Sequence, residues 1–148
     1  MREIRTETRI AAPPTDVWRV LTGFAEYGEW NPYIPRLEGK LVPGERLRVR
    51  LSLPGGSEMT IRPTVMRAEE PREFRWLGHL LFPGLFDGAH IFELEEQSGS
   101  TRFVQREEFR GVLAGLMLRV VGEKTRRGFD AMNEALRTRV ESTARPVG

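Results

Sequence analysis

Polar and apolar positions alternate cleanly at the start of the chain. Ile4, Thr6, Thr8 and Ile10 fall on one side of an extended backbone and Glu3, Arg5, Glu7 and Arg9 on the other, the period of a half-buried strand over residues 2–10. Pro13-Pro14-Thr15-Asp16 then stops the strand and opens a helix, because proline and an acidic side chain both suit a first helical turn. Val17, Trp18, Leu21 and Phe24 supply its apolar stripe, which Gly23 interrupts. A second short helix is expected over 25–29. Trp30-Asn31-Pro32 ends it, since the residue before proline is driven out of the helical region.

From Tyr33 onward, alternating segments follow one another with turn residues between them: Pro43-Gly44, Pro54-Gly55-Gly56, Glu70-Pro71, Pro83-Gly84 and Ser98-Gly99. They bracket strands over 34–41, 46–53, 58–68, 73–82, 86–96 and 101–110. Connections this short exclude parallel crossovers, so the strands form an antiparallel meander. Pro63, inside one run, predicts an edge position or a bulge. After Gly111 the period changes to that of a helix over 113–142, about 45 Å long and able to cross a whole sheet. Arg145-Pro146-Val147-Gly148 reads as a frayed tail. The expected fold is α+β: a curved antiparallel sheet of seven strands, counting the first, with one long helix covering its inner face.

Composition narrows the chemistry. The chain has 148 residues, fitting one domain over 1–148, with no cysteine and only His79 and His90 as histidines. Disulfides, thiol nucleophiles and thiolate or multi-histidine metal sites are thereby excluded, and neither a metal nor a cofactor is expected. No apolar run is long enough for a membrane span, and the first residues lack the apolar stretch of a secretory signal, so a cytoplasmic protein is expected. Net charge is +2, from 23 basic and 21 acidic residues. Arg46, Arg48 and Arg50 form the tightest basic set, but Leu47, Val49 and Leu51 alternate with them as in a strand with one wet face. No nucleic-acid partner is expected.

The candidate site follows from strand parity. The register that turns Phe103 and Phe109 inward also turns Gln105 and Glu107 inward, and His90 shares the inner face with Phe92. Two carbonyl or carboxyl groups and an imidazole over an aromatic floor of Trp76, Phe92 and Phe109 form an apolar pocket with a few convergent polar groups, the composition of a small-molecule site. On the long helix, Met117, Val121, Gly128 and Met132 face the sheet, and a glycine at 128 keeps the helix slim where a guest would lie. Trp30 is an apolar rim candidate. His90 and Glu107 are the candidate general bases, with Gln105, Tyr33 or Lys124 as donors.

Several of these stretches resemble a known family. Ile10-Ala11-Ala12-Pro13-Pro14-Thr15-Asp16-Val17-Trp18-Arg19-Val20-Leu21-Thr22, then Tyr27 and Trp30-Asn31-Pro32, are similar to the opening of polyketide cyclase/dehydrase-like members of the START/Bet v 1 superfamily. Gly88-Ala89-His90-Ile91-Phe92-Glu93-Leu94, Thr101-Arg102-Phe103, Glu107-Glu108-Phe109-Arg110-Gly111 and Met132-Asn133 with Ala135-Leu136 resemble its last two strands and final helix. The resemblance implies a helix-grip fold holding a hydrophobic ligand between sheet and helix. It carries three functional expectations: a binder of a small hydrophobic or amphipathic ligand (lipid-, sterol- or polyketide-like), a polyketide aromatase/cyclase using a cavity general base, or a non-enzymatic protein-partner module of stress-response or toxin–antitoxin type. The first is preferred, because it needs only a cavity, and either a monomer or a homodimer is compatible with it.

Overall fold

In the computed structural model, which describes residues 2–79 and 82–144, the alternating start forms strand β1 (Arg2–Ile10), with Ile4, Thr6 and Ile10 buried between exposed charges. Helix α1 (Pro14–Thr22) carries Pro14 in its first turn, where a missing N–H had no helical partner to lose, and Asp16 where the helix dipole favours a carboxylate. Val17, Trp18 and Leu21 are its buried face. A 3-10 turn (Phe24–Glu26) leads into α2 (Tyr27–Trp30), slightly later than the expected 25–29. Asn31 then turns the chain: its Oδ1 accepts from the N–H groups of Tyr33 at 3.0 Å and Ile34 at 2.8 Å.

The strands that follow are β2 (Arg36–Glu38), β3 (Arg48–Ser52), β4 (Glu58–Ile61), β5 (Thr64–Glu69), β6 (Glu73–His79), β7 (Asp87–Gln97) and β8 (Ser100–Arg110), before helix α3 (Ala114–Ala144). Every pairing is antiparallel, in sheets ordered β1-β8-β7-β6-β5 and β2-β3-β4. The strand expected over 58–68 divides at Arg62-Pro63, so the described residues form eight strands where seven were expected. Pro63 has no N–H for a ladder. Its carbonyl accepts from Leu47 N–H at 2.9 Å instead, and Val65 N–H donates to Glu45 O at 2.8 Å. An Arg46–Thr64 bridge joins the two sheets at this break, which lets the sheet curl. The strand expected over 34–41 shortens to β2, ended by Gly39 at φ +125, where the backbone passes against Leu47. Residues 80 and 81 of the strand expected over 73–82, and the Arg145–Gly148 tail, lie outside the described residues.

Helix α3 runs in the same direction as β1 across the concave face. Arg126 Nη1 donates to Arg5 O at 3.1 Å, Asn133 Nδ2 to Thr6 Oγ1 at 2.9 Å, and Ala11 N–H to Glu141 Oε2 at 2.9 Å. The two halves of α3 differ in packing. Phe129, Met132, Leu136 and Val140 in the second half are fully buried. In the first half Met117, Leu118 and Val121 are only half-buried, and Leu116 and Val120 are exposed. Among the described residues no helix is long and apolar enough to cross a membrane.

Candidate ligand site

Strand register builds the inner face as rungs across β6, β7, β8 and β1. One rung is Phe74, Phe92, Gln105 and Thr6; the next is Trp76, His90, Glu107 and Ile4; the third is Gly78, Gly88, Phe109 and Arg2. The parity expected from sequence therefore brings His90, Gln105 and Glu107 together. His90 Nε2 lies 2.9 Å from Gln105 Oε1, and His90 Nδ1 lies 3.6 Å from Glu107 Oε1. The imidazole stacks on Phe92, with ring centroids 4.4 Å apart, and has Phe129 at 4.8 Å and Trp76 at 5.2 Å.

A chain of buried hydrogen bonds determines the tautomer of this imidazole. Thr6 Oγ1 lies 2.9 Å from the backbone carbonyl of Gln105, an acceptor only, so the hydroxyl must donate there. Asn133 must then donate to Thr6 Oγ1, which it does through Nδ2 at 2.9 Å, leaving Asn133 Oδ1 to accept from Gln105 Nε2 at 2.7 Å. Gln105 Nε2 also points at the Phe129 carbonyl, 3.4 Å away. Gln105 Oε1 is left facing His90, so His90 Nε2 carries the proton. In the neutral ring Nδ1 is a bare acceptor aimed at Glu107.

Burial sets the charges. Loss of solvent pulls the His90 pKa down to about 4, the Gln105 hydrogen bond opposing it only in part, and pushes the Glu107 carboxyl up to about 7. At neutral pH His90 is uncharged and Glu107 is poised between its two protonation states. Tyr33 is also held protonated well above the ordinary phenol range, first by burial and then by the Glu107 charge.

Glu107 is the group of this set that meets open space. Its side chain is 19% accessible, against 4% for His90. Its carboxylate lies over Gly88, where an added Cβ would overlap Oε2, so the third rung's glycine is what lets the carboxylate lean out of line. Along α3, Gly115 lies beside Arg2 and Asn133 beside Thr6. Glu107, opposite Ile4, thus falls at the level of the loosely packed first half of the helix, the half that carries Met117 and Val121. Phe86 stacks on Phe109 on the same rung side, with centroids 5.4 Å apart.

The expected lining separates into two regions. Trp76, His90, Phe92, Gln105 and Glu107 form one connected cluster, with Phe109 on the adjoining rung, and Met132 is fully buried beneath α3. Trp30 stands apart: it packs edge-on to Tyr27, and Arg139 ties its helix to the far end of α3 through Glu29 at 3.0 Å. Some 22 residues of helix, about 33 Å, separate Arg139 from Met117. Gly128 does keep the helix slim, but its space is taken by Tyr33: an added Cβ would come within 2.5 Å of Tyr33 Cε1. Lys124 is exposed. Thr6, Asn133 and Gly88 were not foreseen in the site, although a glycine at inner-face parity in an alternating strand was a legible sign. Two pronounced concavities lie elsewhere on the described surface: an open one of about 540 Å³ beside Arg2, Leu116 and Arg119, and one of about 340 Å³ among charges on the opposite sheet face. Among the described residues no three His, Asp or Glu side chains are grouped to hold a metal ion.

The sequence profile described as polyketide cyclase/dehydrase and lipid transport matches residues 1–141. The chain belongs to this family. No curated protein matches it significantly. Solved structures of the same fold include TTHA0849 from Thermus thermophilus, 19% identical with a TM-score of 0.75 over 97% of this chain and 100% of that one. The Zhui aromatase/cyclase from a Streptomyces species is 18% identical, with a TM-score of 0.74 over 99% and 98% of the two chains. Ara h 8.0201 is 16% identical, with a TM-score of 0.63 over 91% and 97%. At these identities the likeness shows the helix-grip fold, while the family rests on the sequence profile.

Proposed function

We propose that this polyketide cyclase/dehydrase and lipid transport family member binds a small hydrophobic or amphipathic molecule, lipid-, sterol- or polyketide-like, between the sheet and the first half of α3. The Glu107–His90 pair is the polar end of that space. The observation that carries this reading is the partial accessibility of Glu107 at the border of the core: among the described residues no group donates a hydrogen bond to its carboxyl, and a bare imidazole nitrogen lies behind it. Either protonation state of Glu107 serves recognition. The acid donates to a ligand carbonyl, and the carboxylate accepts from a ligand hydroxyl. Entry occurs where Met117, Leu118 and Val121 are half-buried, by displacement of the first half of α3 from the sheet. Native mass spectrometry of protein purified from its own host tests this. A bound small molecule released on denaturation is expected; the bare chain mass, together with no uptake of the apolar fluorophore 1-aminoanthracene, would overturn the reading.

The same carboxyl favours a second reading, aromatase/cyclase-type catalysis. A buried acid with a pKa about 7 exchanges protons at neutral pH, as a general base for an enolisable polyketide must. Glu107 carboxylate would remove a proton from a methylene between two carbonyls, and His90 Nδ1 would accept a hydrogen bond from the resulting acid. Conversion of a model poly-β-ketone should fall at least 100-fold in Glu107→Gln. Unchanged turnover in both Glu107→Gln and His90→Ala removes this reading and leaves binding standing.

A further inference from the structure

Many arginines of this protein are neutralised by neighbouring acids. On the convex face of the larger sheet Arg106 reaches Glu3, Glu93 and Glu108, and Arg102 reaches Glu7 and Glu95. One end of the molecule departs from that pattern. There the turn after β6 is stitched to the start of α3: Val112 N–H donates to Gly84 O at 3.2 Å and Leu113 N–H to Leu85 O at 3.0 Å. Around this seam Phe82 is 57% exposed, Val112 82%, Leu116 58% and Val120 66%. Leu116 and Val120 are spaced one helical turn apart on one stripe of α3, and Val112 lies in the turn just before the helix.

Two cations border the stripe. The Arg2 guanidinium lies against Gly115, where an added Cβ would stand 2.9 Å from Nη2. Arg2 and Arg119 together flank the open concavity that Leu116 and Leu118 line. Neither makes an ion pair among the described residues. The nearest acids along the chain are engaged elsewhere: Glu3 pairs with Arg106 at 3.1 Å and Glu123 lies 3.5 Å from Arg127, while at the seam Asp87 accepts from Gly84 N–H and pairs with His79 at 2.7 Å.

We propose that this end of the molecule is a docking face for an anionic lipid surface. Phe82, Val112, Leu116 and Val120 enter the boundary between headgroups and acyl chains, and Arg2 and Arg119 engage lipid phosphates. An exposed apolar stripe bordered by unpaired cations is the composition of an interfacial helix, and anionic lipid supplies the charge this end lacks. A second copy is the poorer occupant. A two-fold contact through this face would bring Arg2 and Arg119 of one protomer toward the same cations of the other. The proposal does not depend on the ligand reading, because its probe is the bilayer itself.

Co-sedimentation with vesicles tests it. The full chain should pellet with phosphatidylcholine vesicles containing about one third phosphatidylglycerol, at least tenfold more than with phosphatidylcholine alone, and raising NaCl from about 0.05 to 0.5 M should release most of it. Leu116→Ser with Val120→Ser, and separately Arg2→Gln with Arg119→Gln, should each lower the partition at least fivefold. These side chains are exposed, so both variants should melt within about 3 °C of the parent protein. Met66→Ser with Arg72→Gln, on exposed positions of the β5–β6 region, should bind like the parent. The proposal is overturned if the parent does not bind the anionic vesicles or if neither paired variant weakens binding. It is also overturned if sedimentation velocity shows a dimer that Leu116→Ser with Val120→Ser dissociates, since a second copy then covers the face.

Discussion

The opposed titrations of His90 and Glu107 lead to a prediction with a definite sign. For Glu107 the folded-state pKa is raised, from 4.5 to about 7, so its contribution to stability is fully present below 4.5 and is lost as pH rises through 7. For His90 the folded-state pKa is lowered, from 6.5 to about 4, so its contribution is present above 6.5 and is lost as pH falls through 4. Each amounts to about 3 kcal/mol, at 1.36 kcal/mol for each unit of pH difference. Between pH 4.5 and 6.5 the folded pair is a neutral acid beside a neutral imidazole, whereas the unfolded pair is a carboxylate and an imidazolium. The two states hold the same number of protons, so the pair's contributions cancel over that window. Removing one partner exposes the other. Relative to the parent profile, Glu107→Gln should gain about 3 kcal/mol of stability as pH rises from 4.5 to 7, and His90→Asn should lose about 3 kcal/mol as pH rises from 4 to 6.5. The double variant should again run parallel to the parent. Urea unfolding followed by tryptophan fluorescence, from about pH 4 to about pH 8, reads these differences while titrations elsewhere drop out. Single variants that both run parallel to the parent would refute the assignment of a neutral buried pair.

Gly128→Ala should destabilise the protein by about 1–2 kcal/mol in urea titration, because overpacking against the Tyr33 ring outweighs the roughly 1 kcal/mol that alanine gains over glycine in a helix. Gln105→Leu breaks the chain of bonds between His90 and Asn133 and strands buried polar groups on both sides; a loss of about 3 kcal/mol is expected, with no comparable loss for Gln105→Glu at low pH. Hydrogen exchange should separate the halves of α3. Amides from Phe129 to Val140 should exchange at the slowest, global rate, and those from Met117 to Thr125 markedly faster; equal protection would contradict entry through the first half of the helix.

The limits of sequence reading follow from where the partners lie. Strand alternation and the turn residues expose the meander and the long helix because those signals are local. Even the break between β4 and β5 was signalled by Pro63, although not the transfer from one sheet to the other that follows it. His90, Gln105 and Glu107 were legible together because two adjacent strands joined by Ser98-Gly99 keep a simple register. Thr6 and Asn133 were not. Thr6 reaches the site only through pairing of the first and last strands, and Asn133 through the way α3 lies on β1. The Tyr33 ring in the Gly128 notch is a contact across 95 positions of chain, which no periodicity encodes. Trp30 shows the converse error: its residue type suggested a lining role, but its α2 position ties it to the far end of α3.

The central claim is that a guest meets the protein at Glu107 beneath the first half of α3. Titration with 1-naphthol, an apolar ring with a single hydroxyl, followed by NMR of the side-chain carboxyls, the histidine ring nitrogens and the methyl groups, tests it most directly. The account predicts saturable shifts at Glu107, His90, Met117 and Val121, with Leu136 and Val140 unmoved. Shifts confined to other surfaces, or none at these four residues, would contradict it.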